Sequence, residues 1–134
     1  MENDGHFSGE IVGIGTDLTD VVRIRALLEK YSGAFLKKAF GDVEASYCMS
    51  LVNPAESLAA RFAAKEAVAK ALGTGFSEGV TPRGIVVVKT PSGAPQVELD
   101  APSKKIMDSL GGKKIFLSLT HTKDYAQAFA IITR

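Results

Sequence analysis

The sequence has one cysteine, Cys48, and no tryptophan among its 134 residues. One thiol cannot close an intrachain disulfide, so a disulfide-stapled secreted scaffold is excluded and a reducing, cytoplasmic compartment is expected. Cys48 itself reads as a small buried hydrophobe rather than a nucleophile. There are only two histidines, His6 and His121. A zinc centre of the His/Cys type therefore lacks ligands, and any metal should be held by oxygen. No apolar run approaches the roughly 18 residues of a membrane span. Residues 1–10 have no apolar stretch behind a positive flank and read as a flexible lead, not a signal peptide. Net charge is nearly missing as well: 16 Lys and Arg against 15 Asp and Glu leave +1. The whole-molecule basic field of a nucleic-acid binder is absent. With 46% hydrophobic and 23% charged residues, the composition is that of an ordinary globular protein, and residues 11–134 are read as one domain.

What is present is patterned. Residues 11–18 (IVGIGTDL) alternate apolar and small residues and predict a strand with Asp17 near its end. Asp20 caps a helix expected over residues 21–31. Gly33 interrupts it, a short helix follows, and a third segment runs from Gly41 to Leu51. Asn53-Pro54-Ala55-Glu56 is a helix start, with Asn as cap, Pro at the first position and Glu reaching back in a capping box. This helix is expected to run to about Leu72, where Gly73 supplies the stop. Leu58, Phe62, Ala69 and Leu72 form one stripe, and alanines cover most of the opposite side. A helix apolar nearly all round is buried between layers. The second half reads as β structure: strands over 84–90 and 96–99, a short helix over 104–110, then strands over 114–121 and 125–133. The fold class is α+β.

Three clusters carry chemistry. Asp17, after Gly13-Ile14-Gly15-Thr16, places a carboxylate at a strand end, where it serves either a metal ion or a turn. Glu66 and Lys70 lie one turn apart on the long helix. The surrounding alanines and Phe62 imply a covered face, so the two are expected as a buried pair, which is costly unless matched by a metal or phosphate. One carboxylate for Mg²⁺ with cations nearby suits a diphosphate ligand. Gly73-Thr74-Gly75 offers N–H groups and a hydroxyl to phosphate, or simply stops the helix. Ser118-Leu119-Thr120-His121-Thr122 closes a strand. A local basic region holds Arg23, Arg25, Lys30, Lys37 and Lys38.

Ile14-Gly15-Thr16-Asp17 with Arg23-Ile24, then Arg61-Phe-Ala-Ala-Lys65-Glu66-Ala-Val-Ala-Lys70-Ala-Leu-Gly73-Thr74-Gly75, then Ser118-Leu119-Thr120-His121-Thr122, resemble the holo-acyl-carrier-protein synthase family of 4′-phosphopantetheinyl transferases. The resemblance covers residues 11–133. It implies a small antiparallel sheet packed with a long buried helix, and transfer of phosphopantetheine from coenzyme A to a serine of acyl carrier protein in lipid biosynthesis. It further implies that Asp17 and Glu66 hold Mg²⁺ and that Lys70 stabilises departing 3′,5′-ADP. Arg61, Lys70, Gly73, Thr74, Pro95, His121 and Thr122 would bind coenzyme A. Arg23, Lys37 and Lys38 would receive the acidic carrier, and the chain would form homotrimers with active sites between subunits. The serine's base is open among Glu66, Asp17 and a water at the metal, the last being preferred because a ligated carboxylate is a poor base. Two rival readings fit the same residues: a Mg²⁺-dependent phosphohydrolase of a nucleotide diphosphate, and a non-catalytic coenzyme A-binding module.

Overall fold

The alternating segment becomes β1 (Ile11–Asp20), followed by α1 (Val21–Ala39), α2 (Asp42–Met49) and α3 (Pro54–Ala71). The second half is β2 (Ile85–Lys89), β3 (Pro95–Leu99), α4 (Ala101–Ser109), β4 (Lys114–His121) and β5 (Tyr125–Thr133). These come from a computed structural model that describes residues 9–134. Most of the expected lead, with His6, lies outside the described residues.

Asp20 caps α1 as the sequence requires, its carboxylate accepting from the N–H groups of Val22 and Arg23. The interruption expected at Gly33 is a kink at Ser32, whose φ of 41° and ψ of −118° are non-helical. Arg83 closes the far end by donating from Nη1 to the carbonyls of Lys37 (2.8 Å) and Phe40 (2.7 Å), a cation at the negative end of the helix. At the start of α3 the expected capping box does not form. Asn53 makes no side-chain cap bond, and the Glu56 carboxylate instead faces His121 Nδ1 at 3.5 Å. Pro54, pre-set for the first turn, begins the helix without it. The helix expected over 104–110 starts earlier, at Ala101, because Asp100 caps it and Pro102 suits its first turn.

Three antiparallel strands form one sheet in the order β1-β5-β4, and β2 and β3 pair as a separate hairpin. Both ladders of the larger sheet run through β5, which sets Asp17 opposite Ala128 and Ala128 opposite Leu119. α3 is buried on almost every side, as its composition demands. It lies on the inner face of this sheet, where β5 contributes Ala126, Ala128 and Ala130, all fully buried. Gly13 and Gly15 bring β1 closer still: a Cβ at either would overlap the carbonyl oxygen of Ala71 or Ala67 on α3. This small-residue seam sets the distance between β1 and α3. Val21, Ile24, Phe40 and Cys48 fill a second core between α3 and the first two helices, so Cys48 is the buried residue expected of it.

The opposite face of the sheet is apolar and open. Ile14 is 60% exposed, Leu18 64% and Phe129 40%. Strand alternation places these residues together with Ile131 away from α3.

Candidate active site

The Gly13–Gly15 seam sets the end of β1 against the last turns of α3. Lys70 Nζ reaches across to the Thr16 carbonyl at 3.0 Å and Asp17 Oδ1 at 3.3 Å. Thr19 donates its hydroxyl to the other Asp17 oxygen at 2.7 Å. Glu66, one turn before Lys70, is close enough to Asp17 to feel its charge. Its carboxyl is pushed above the usual range, first by burial and then by the Asp17 charge, while Lys70 and Arg23 pull it back down. Asp17, Glu66, Lys70 and Arg23 therefore form one electrostatic cluster.

The buried pair expected at Glu66–Lys70 is not what forms. The Lys70 side chain is 51% exposed and its partner is Asp17. The buried ion pair belongs to the preceding residue: Lys65 Nζ lies 2.7 Å from Glu44 Oε1, with both side chains fully excluded from solvent. Lys65 also donates to the carbonyls of Pro82 and Ile85, and Glu44 accepts from the N–H groups of Gly41 and Val87. Leu58, Arg61, Lys65, Val68 and Leu72 recur at three- and four-residue steps, so the two cations sit inside an apolar stripe. That periodicity is the sequence signal for a second network, alongside the alanine-rich surroundings of Glu66.

The neighbouring carboxylates of Asp17 and Glu66 make an all-oxygen donor set of the kind a hard cation takes. Among the described residues no group of three or more His, Cys, Asp and Glu side chains is positioned to hold a metal. Two carboxylates with room for ligand phosphates suit Mg²⁺ better than a closed cage would.

The remaining expected ligand-binding residues divide. Arg61, Pro95 and His121 line a separate cleft together with Tyr47, Glu56 and Lys89. Gly73 has φ +85°, and the N–H groups of Gly73 and Gly75 bond to the carbonyls of Lys70 and Ala69, so these glycines close α3. The Thr74 hydroxyl bonds to the Gly75 carbonyl at 2.7 Å. Thr122 Oγ1 accepts from the N–H groups of Asp124 and Tyr125 and shapes the β4–β5 turn. Lys37 and Lys38 lie beyond the Ser32 kink, in the last turn of α1, and are not brought beside Arg23.

The cleft and the carboxylate cluster occupy different flanks of α3. At about 100° per residue, Glu66 points roughly 140° around the helix from Arg61. Asp17 and His121 stand on opposite edge strands of the sheet, with β5 between them. A ligand touching both groups in one chain would have to cross the helix.

A sequence model of the 4′-phosphopantetheinyl transferase superfamily matches residues 13–130. The chain belongs to that superfamily. A holo-(acyl-carrier-protein) synthase of Chlamydia caviae is 45% identical over 118 residues, 88% of this chain and 93% of that protein. The crystal structure of the same enzyme from Neisseria meningitidis superposes with a TM-score of 0.86 at 33% identity, covering 93% of this chain and all of that one. A Helicobacter pylori relative, solved in complex with coenzyme A, gives a TM-score of 0.78 at 28% identity, over 90% of this chain and 99% of that one. The family and the α+β fold agree with the expectations from the motifs.

Proposed function

We propose that this chain is a holo-(acyl-carrier-protein) synthase: it transfers 4′-phosphopantetheine from coenzyme A to a serine of apo acyl carrier protein and releases 3′,5′-ADP. The observation that carries this reading is the Asp17–Glu66–Lys70 cluster, two coupled carboxylates with a half-exposed ammonium fixed beside them, in a chain of this superfamily. In the reaction the serine oxygen forms a bond to the β-phosphorus of coenzyme A as the bond to 3′,5′-ADP breaks. Asp17 and Glu66 would hold Mg²⁺, which when bound supplies positive charge at the donor's diphosphate. Lys70 Nζ, held by the Thr16 carbonyl and Asp17, has a free N–H for the departing phosphate oxygen. A preset cation is most effective where negative charge accumulates. Thr19 fixes the rotamer of Asp17 through its 2.7 Å hydrogen bond. Arg23, at the start of α1 and electrostatically felt by Glu66, would receive the acidic carrier beside the reacting centre, with Lys37 and Lys38 as more distant contacts.

The division of ligand-binding residues between two flanks of α3 supports a homotrimer with active sites between subunits. One copy would supply Asp17, Glu66 and Lys70, and its neighbour the cleft of Arg61, Pro95 and His121. The open apolar sheet face around Ile14, Leu18 and Phe129 supplies the kind of surface such an assembly buries. A cytoplasmic setting and a place in lipid biosynthesis agree with this reading. Incubation with coenzyme A, Mg²⁺ and apo acyl carrier protein tests it: the carrier should gain the mass of one phosphopantetheine arm. Hydrolysis of coenzyme A without that gain would favour a phosphohydrolase instead.

A further inference from the structure

The two sheets leave a pair of strand edges facing each other. In the larger sheet the Thr122 N–H bonds to the Tyr125 carbonyl, in the register that sets Lys114 opposite Thr133. Antiparallel bonding alternates along a strand. Even-numbered residues of β4 therefore bond to β5, while Ile115 and Leu117 turn their main-chain groups to the outer edge. In the hairpin the Thr90 N–H bonds to the Ala94 carbonyl and the Asp100 N–H to the Gly84 carbonyl. By the same alternation Gln96 and Glu98 bond to β2, and Val97 and Leu99 turn their main-chain groups away from it. β3 and β4 come within 8 Å between Cα atoms, yet they lie in separate sheets, and among the described residues no main-chain hydrogen bond joins them. The two edges are nevertheless in phase. Pro95 and Leu119 line one cleft, and Leu99 and Ile115 another, so the strands run antiparallel. Val97, Leu99, Ile115 and Leu117 all pack on the core around α3. Pairing Val97 with Leu117 and Leu99 with Ile115 joins the edges without turning any side chain over. Pro95, which has no N–H, ends that ladder at the mouth of the cleft. The β2 edge of the hairpin is pinned by side chains: Lys65 donates to the Ile85 carbonyl, Arg61 to the Val87 carbonyl, and Glu44 accepts from the Val87 N–H. The hairpin is thus hinged along β2 and open along β3.

We propose that the β2–β3 hairpin is a clasp: β3 zips onto β4 when a ligand bridges the cleft, giving one five-stranded sheet in the order β1-β5-β4-β3-β2. The inference rests on the proposed transfer for the identity of that ligand, coenzyme A. The cleft has Lys89 and Pro95 on the hairpin and Leu119 and His121 on β4. A ligand that touches both walls binds the zipped arrangement more tightly than the open one, and that difference in affinity drives closure. Opening of the same seam then lets 3′,5′-ADP leave.

Residue-resolved amide hydrogen exchange on the full chain tests the clasp. In the free protein the N–H groups of Val97, Leu99, Ile115 and Leu117 should exchange much faster than those of Gln96, Glu98 and Ser118, which bond within their sheets. Saturating coenzyme A should slow those four at least about tenfold and leave the other three unchanged. Equally slow exchange of all seven in the free protein would overturn the clasp. So would coenzyme A that binds, seen as a shift of the His121 ring signals, without slowing the four. Val97→Pro removes the N–H that faces β4 and spares the bonds to β2. Compared with Val97→Ala it should keep its Tm but bind coenzyme A on the order of fivefold more weakly; equal affinities would also overturn the clasp. A third arm needs no ligand. Zipping brings the Cα atoms of Leu99 and Ile115 to about 5.5 Å, within reach of a disulfide, so a Leu99→Cys, Ile115→Cys chain should cross-link under mild oxidation. Thiols that stay free would overturn the clasp. A cross-link that forms in a chain that binds no coenzyme A would uphold the clasp and count against the proposed reaction.

Discussion

Replacing Lys65 with methionine should destabilise the fold severely. Lys65 Nζ donates to Glu44 Oε1, the Pro82 carbonyl and the Ile85 carbonyl at 2.7, 2.8 and 2.7 Å, and lies 5.2 Å from the Phe40 ring centroid. Methionine fills a similar volume but leaves the Glu44 carboxylate buried with only two N–H donors, and leaves the two carbonyls without this ammonium. Removing one partner of a buried ion pair costs about 3–5 kcal/mol, and part of the roughly 1–3 kcal/mol of each orphaned group is already within that figure. A loss of about 4 kcal/mol is a large share of the roughly 5–15 kcal/mol that holds a domain together. For a chain of this size it corresponds to a fall in Tm of roughly 10–20 °C. Thermal and urea unfolding followed by circular dichroism measure it. Adding Glu44→Gln to Lys65→Met removes the unpaired charge while keeping one acceptor for the Gly41 and Val87 N–H groups, so the double variant should regain part of the loss. A Lys65→Met variant within about 1 kcal/mol of wild type, or a double variant whose loss equals the sum of the singles, would show that the buried pair does not hold the fold in this way.

Glu66→Gln should abolish transfer yet stabilise the metal-free protein at neutral pH. The Glu66 carboxyl is raised above its usual 4.5 in the fold, so its contribution to stability is fully present below the unfolded value and is lost as pH rises through the folded one. The variant should lack that pH dependence. Mg²⁺ should raise the Tm of wild type and not that of the variant, whereas an equal rise in both would remove Glu66 from the metal site. Asp17→Ala and His121→Ala chains, each impaired alone, should regain activity when co-refolded into mixed assemblies; mixtures no better than the separate variants would contradict active sites shared between subunits. Phe129→Lys, on the open sheet face, should shift the mass in light scattering from three chains toward one, and an unchanged mass would exclude that face from the assembly. Gly15→Ala should fail to fold or lose most of its activity, because the new methyl overlaps the Ala67 carbonyl; near-normal activity would show that the seam between β1 and α3 has slack.

Much of this molecule is legible in its residues because local rules and tertiary structure agree. Strand alternation over residues 11–18, the Asp20 cap, the interruption near Gly33 and the alanine-rich helix all follow from period, capping and composition. Apolar neighbours on both sides make Glu66 and Lys70 look enclosed in the sequence, although the buried charge is Lys65. The seam of glycines instead brings the end of β1 up to α3, where Lys70 meets Asp17 and stays half-exposed. Lys65 is buried because Glu44 reaches it across the fold, a contact between residues far apart in sequence that no local pattern reports. Glu56 leaves its expected capping box for the same kind of reason, since His121 arrives from another element. Tyr47 and Lys89 join the cleft only once α2 and β2 are placed on either side of Arg61.

The reaction proposed for this chain transfers an intact arm rather than cleaving it with water. The measurement that tests it most directly is an intact-mass time course of apo acyl carrier protein with coenzyme A and Mg²⁺, with 3′,5′-ADP quantified in the same samples. The proposed reaction predicts that modified carrier and 3′,5′-ADP rise together in equal amounts, and that Glu66→Ala stops both. Release of 3′,5′-ADP from coenzyme A while the carrier mass stays unchanged would contradict it.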